Sequence, residues 1–98
     1  MSITTNKVDN ATHIIVSDRF DYGLHNEFRS AYKDCPKGTN FVIDLNRATY
    51  MDSSALGMML LLREHAGNEQ SKISIIGCNP EIKQILVISK FEKLFNIT

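Results

Sequence analysis

"YMDSSALGMMLLLREHAG", residues 50–67, decides the fold. An aspartate and two serines stand directly before two turns of apolar residues: positions 55–62 read Ala, Leu, Gly, Met, Met, Leu, Leu, Leu, and polarity returns at Arg63 and Glu64. Asp and Ser are favoured helix caps, because their side-chain oxygens accept the N–H groups that a first turn leaves without intrahelical partners. One cap suffices, so three in succession leave a hydroxyl to spare. The helix behind them is apolar almost all round, whereas a helix lying on one sheet face needs a stripe only about 100° wide. That excess implies either burial on several sides or an exposed apolar patch at the helix start, where a partner docks. Met58 and Met59 are the candidate contacts, since methionine is adaptable and recurs on protein-binding surfaces; their alternative role is to fill gaps in the core.

The flanks of this helix are shorter pieces of alternating type, separated by turn signals. "THIIVS" (12–17), "FVIDL" (41–45) and "KISIIG" (72–77) are rich in β-branched and aromatic residues and read as strands. Between the first two, "DYGLHNEFRSAYKD" (21–34) places Leu24, Phe28, Ala31 and Tyr32 at helical spacing before Pro36 and Gly38 end the segment. "NPEIKQILVISK" (79–90) opens with Asn79 as a cap and Pro80 at the first helical position, with Ile82, Ile85, Leu86 and Ser89 along one face. "SITTNKV" (2–8) is a weak opening strand and "KLFNIT" (93–98) a short closing one. Strands alternating with helices imply right-handed crossovers. The expected architecture is α/β, a mixed, mostly parallel sheet of four or five strands covered by helices on at least one face. At 98 residues the chain suits one domain, 1–98, that buries roughly two-thirds of its unfolded surface.

Composition narrows the function. Eleven basic residues balance eleven acidic ones, so no overall field gathers polyanions, and a nucleic-acid partner is not expected. The longest apolar run, Met58–Leu62, is far too short to span a bilayer, so no membrane insertion is expected, and "MSITTNKVDN" has no secretory pattern. The cytoplasm is the expected compartment. Cys35 and Cys78 lack the paired spacing of a zinc or redox site, no His, Cys and carboxylate cluster stands at ligand spacing, and neither metal nor cofactor is expected. A serine hydrolase would need a strained Gly-x-Ser-x-Gly elbow and a base; the elbow is absent, and His13, His25 and His65 have no spacing that marks one.

Met51-Asp52-Ser53-Ser54-Ala55-Leu56-Gly57 closely resembles the core motif of the anti-sigma factor antagonists, the single-domain STAS proteins. "SDRFDYGLHNEFRSAY" is similar to the strand-to-helix region of a bacterial subgroup of them, and "GCNPEIKQILVISKFEKLF" to their last strand, turn and helix, so the resemblance takes in nearly the whole chain. It implies a non-enzymatic regulatory module. Ser53, directly after the aspartate, falls where the family is phosphorylated, with Asp21, Asp52 and Ser54 around the phosphorylation loop. Its implied partners are an anti-sigma factor or serine kinase of the switch-kinase type and a serine phosphatase of the PP2C type. The unphosphorylated form captures the regulator and phosphate releases it. The partner surface is expected on the loop and the first helical turns, Ala55, Met58 and Met59 included, with Arg29 facing away. Two features depart from the usual pattern: Ala55 replaces the family's usual Gly after the serines, and the sequence ends at Thr98 where many members continue into another helix. The same fold also serves as a permanent adaptor in transport and other assemblies, which needs no phosphorylatable serine.

Overall fold

The computed structural model describes residues 2–98. Five strands, β1 (Ile3–Val8), β2 (Ala11–Phe20), β3 (Asn40–Met51), β4 (Ile73–Ile76) and β5 (Asn96–Ile97), alternate after the first hairpin with helices α1 (His25–Tyr32), α2 (Ser53–His65) and α3 (Pro80–Ile88). The sheet order is β1-β2-β3-β4-β5; β1 runs antiparallel to β2 and every later neighbour is parallel. Because the order never reverses, right-handed crossovers place all three helices on the same face. The burial pattern agrees: Thr12, Ile14 and Val16 of β2, Phe41, Ile43 and Leu45 of β3, and Ile73 and Ile75 of β4 point into the helical layer. Between them lies one core, completed by Phe28, Ala55, Met58, Met59, Leu62, Ile82 and Leu86 from the helices.

The expected α/β architecture, with a five-stranded and mostly parallel sheet, is therefore the observed one. Helix α3 follows its sequence signals: Asn79 accepts the Ile82 N–H at 2.8 Å and Pro80 takes the first position. Ser89, expected on its inner face, instead caps its C-terminus and is exposed. The first helix starts later than its periodicity suggests, since Tyr22–Leu24 form a tight 3-10 turn before α1.

Strand β3 differs most from its expected length. It continues six residues past Leu45, paired to β2 alone, and its inward positions there are Leu45, Ala48 and Met51, three apart rather than two. Two bulges account for the spacing. From Ile15↔Asp44 to Ser17↔Arg47, and again from Asp18↔Ala48 to Arg19↔Tyr50, β3 spends one residue more than β2. Each extra residue flips the pleat, so strict alternation fails and "NRATYM" does not look like a strand. Asp44 fastens the first bulge by accepting the Asn46 backbone N–H at 2.9 Å and its side-chain amide at 2.7 Å. Gly77, beyond β4, passes so close that an added Cβ would lie 2.3 Å from the Asn46 side chain, and its φ of +74° also favours glycine.

Candidate functional site

The two bulges carry β2 and β3 together to one corner of the molecule. Their last registered pair is Phe20↔Met51, so Asp21 and Asp52 emerge next to each other from neighbouring strands. Both aspartates do the same local job. Asp21 is extended (φ −131°) and accepts the Gly23 N–H at 3.0 Å, starting the turn into α1; Asp52 is extended (φ −122°) and accepts the Ser54 N–H at 3.0 Å, starting α2. These oxygens meet N–H groups that would otherwise lack partners.

The two serines are not equivalent. Ser54 is half-buried and its hydroxyl donates to Asp52 Oδ1, the same oxygen that takes its N–H. Ser53 is exposed, and among the described residues its hydroxyl has no hydrogen-bond partner. The spare hydroxyl of the Asp-Ser-Ser step is thus Ser53. The Asp52 carboxyl is held below its ordinary value of 3.8, first by the Ser54 hydroxyl, then by the Ser54 and Ala55 N–H groups, with a further contribution from the Arg19 charge. It therefore stays anionic at neutral pH.

Arg19 and Tyr50 belong to this corner and were not singled out from the sequence. The Arg19 guanidinium lies 4.0 Å from the centre of the Tyr50 ring, and its Nε donates to Asp21 Oδ2 at 3.3 Å. The contact depends on the 19↔50 register set by the bulges, which no local sequence signal marks.

Helix α2 overturns part of the expected partner surface. Ala55, Met58 and Met59 are buried, with 3% of Met58 and none of Met59 exposed, so none of them presents a contact to solvent. The physical reason is the direction in which α2 lies on the sheet: positions 55, 58, 59 and 62 form the stripe facing the core. The apolar residues on the open side are Leu60, 40% exposed, and Leu61, 49% exposed, in line with Gly57 and Ser53. Arg29 does not face away either. An open groove of about 720 Å³ runs between α1 and α2, walled by His25, Arg29 and Tyr32 on one side and Leu61, Glu64 and His65 on the other.

The three histidines lie apart from the serines in bonding. His25 stacks on Tyr22 with ring centres 5.1 Å apart, His65 donates from Nε2 to the Cys35 carbonyl at 2.9 Å, and His13 lies on β2. Among the described residues none bonds to Ser53 or Ser54, no group of three or more His, Cys, Asp or Glu is arranged to hold a metal, and no helix is long and apolar enough to cross a membrane.

Comparison with known proteins agrees with this architecture. A STAS-domain containing protein of Pseudomonas aeruginosa is 52% identical over 86 residues, covering 87% of this chain and 85% of that one. An anti-sigma factor antagonist from Mycobacterium paratuberculosis shares the fold at 18% identity, with TM-score 0.80 over 97% of this chain and 82% of its own. So does SpoIIAA, an anti-sigma factor antagonist solved both unphosphorylated (TM-score 0.71, 14% identity, 98% and 86% covered) and, from Bacillus, phosphorylated (TM-score 0.68, 14% identity, 98% and 90% covered). The STAS domain family matches residues 2–98, and with these strands, this capped helix and this relative the chain belongs to the STAS-domain family.

Proposed function

We infer that this STAS domain is a phosphorylation-switched binding module: with Ser53 bare it captures an anti-sigma factor or a similar regulator, and phosphate on Ser53 releases it. One observation carries the reading: beside the Asp52 carboxylate, Ser54 is tied down while the Ser53 hydroxyl is exposed and unengaged. The fold likeness to SpoIIAA, which exists in both states, supports it. Catalysis then belongs to the partners, a serine kinase of the switch-kinase type and a PP2C-type serine phosphatase, and the cytoplasm is where they meet.

The docking surface follows from exposure. Ser53 heads a stripe that continues through Gly57 to Leu60 and Leu61 and opens onto the groove beside α1, with Asp21 next to Asp52 before its head. An apolar contact there excludes water. A phosphate at its head brings about −1.5 to −2 charges that an apolar contact would have to strip of water. A loss of about 3 kcal/mol already weakens binding roughly a hundredfold. Folding is not threatened, because negative charge at a helix start is neutral or favourable, typically by about 0.3–1 kcal/mol. Release without unfolding is the expected outcome.

The test is peptide mass mapping of the protein from its native cell, with and without phosphatase treatment, followed by capture of bound proteins on the bare and phosphorylated forms. Phosphate on Ser53 and partner loss on phosphorylation support the reading. Phosphate on Ser54 with Ser53 untouched overturns the site, and no phosphate on either overturns the switch in favour of a permanent adaptor.

A further inference from the structure

A phosphate on Ser53 would enter a corner already occupied by acids. Asp21 and Asp52 emerge side by side at the ends of β2 and β3, and the Ser54 and Ala55 N–H groups at the start of α2 are already engaged. Asp52 Oδ1 takes the Ser54 N–H and the Ser54 hydroxyl, and the Asp52 carbonyl takes the Ala55 N–H at 3.1 Å. Beside two carboxylates, a third negative group gains further from a cation outside the helix.

Arg19 stands in that corner. It is held from two sides, by the Tyr50 ring at 4.0 Å and by Asp21 at 3.3 Å through Nε alone. Its side chain is 62% exposed, and among the described residues its Nη groups have no hydrogen-bond partner. Its charge also reaches Asp52, just beyond the end of β3, and helps lower the pKa of that carboxyl after the larger effect of the Ser54 hydrogen bonds. A guanidinium held over an aromatic ring, with one edge free, is a preorganised fork for a tetrahedral oxyanion. Held by both the ring and Asp21, the side chain has less freedom to lose when an anion arrives.

We propose that Arg19 receives the phosphate of Ser53, its free Nη edge pairing with the phosphate oxygens while Nε stays on Asp21 and the guanidinium on Tyr50. This rests on Ser53 being the modified residue and adds how the domain holds the modified state. Arg19 is a positioning residue: it takes no part in forming or breaking the phosphoester. It gathers the added charge at the ends of β2 and β3, beside Tyr50, instead of leaving it to rotate into solvent.

The experiment installs phosphoserine at position 53 of the full chain by genetic encoding, so no kinase is needed, and follows the phosphate by ³¹P NMR titration. Phosphoserine alone loses its second proton near pH 6, and an adjacent cation favours the dianion. With Arg19 in place this midpoint falls by about half a unit or more, a threefold change in proton affinity. Arg19→Gln returns it to near 6 or above, because Asp21 and Asp52 then act unopposed. Arg19→Lys recovers only part of the shift, since a flexible point charge replaces the bidentate fork. Equal midpoints in the parent and Arg19→Gln, or full recovery by Arg19→Lys, overturn the proposal. Melting of the unphosphorylated variants checks that both keep the fold. Mapping of the native phosphate addresses Ser53 itself, so the two ideas fail in different measurements.

Discussion

On one side of α2, Ala55, Met58, Met59 and Leu62 are closed off against the sheet; on the other, Gly57, Leu60 and Leu61 face solvent behind Ser53. The two sides are built from the same class of residue, yet one holds the fold together and the other is exposed to solvent. Their assignment runs against what side-chain character suggests. The adaptable methionines lie inside, where unbranched side chains fill the uneven space over a twisted, bulged sheet, and the more regular leucines lie outside. Apolar character shows that a residue is able to be buried. Which residues are buried within the domain, and which are left for a partner, depends on how the helix is rotated about its axis.

The comparison breaks most readily at Met59. Met59→Ala is expected to cost about 2–5 kcal/mol, through lost burial and the cavity left behind, read as a lower midpoint in urea denaturation. Met58→Lys is likewise expected to damage the fold, by placing a charge in the core, and so does not serve as a selective binding variant. An unchanged midpoint for Met59→Ala would mean that α2 does not pack by this face.

A smaller effect is expected where the two faces meet, at the Asp52 cap. Asp52→Ala removes the acceptor of the Ser54 N–H and hydroxyl and is expected to cost about 0.5–2 kcal/mol. The same group gives a pH dependence of known sign. Its folded-state carboxyl lies below the ordinary 3.8, so its contribution is complete above that value and is lost as the pH falls through the lower folded value. Asp52→Asn should flatten this part of the acid limb of the stability profile, and an identical limb in parent and variant would show that the cap is not formed.

On the open side the effect passes from stability to binding. Leu61→Lys is expected to change stability by no more than about 0.5 kcal/mol while weakening capture of the regulator tenfold or more, measured by melting and by equilibrium binding. Unaltered binding would remove the α2 stripe from the interface. Smallest in stability is Ser53→Ala, which loses no hydrogen bond, is expected to stay within about 0.5 kcal/mol of the parent, and should hold the protein in its capturing state. A clearly destabilised Ser53→Ala would make this serine a structural cap, erasing the distinction from Ser54.

What could be read along the chain was local. Asp52 and Asn79 are caps because their short side chains reach back to the next N–H groups, Pro80 opens α3 because its ring already has helical φ, and the strand centres announce themselves by β-branched alternation. Each depends on residues only a few positions apart, so sequence order contains the whole interaction. The same holds for the Asp-Ser-Ser step, legible as a cap with a hydroxyl left over. Tertiary structure decided the rest. A helix apolar nearly all round has no preferred inner face of its own, so packing against β2 and β3 chose Met58 and Met59 for the core and left Leu60 and Leu61 outside. The bulges of β3 broke the alternation that marks a strand, and only pairing with β2 showed the segment 46–51 to be one. That pairing brings Arg19 to Tyr50 and Asp21 to the side of Asp52, residues 31 positions apart, because register is a property of two strands together.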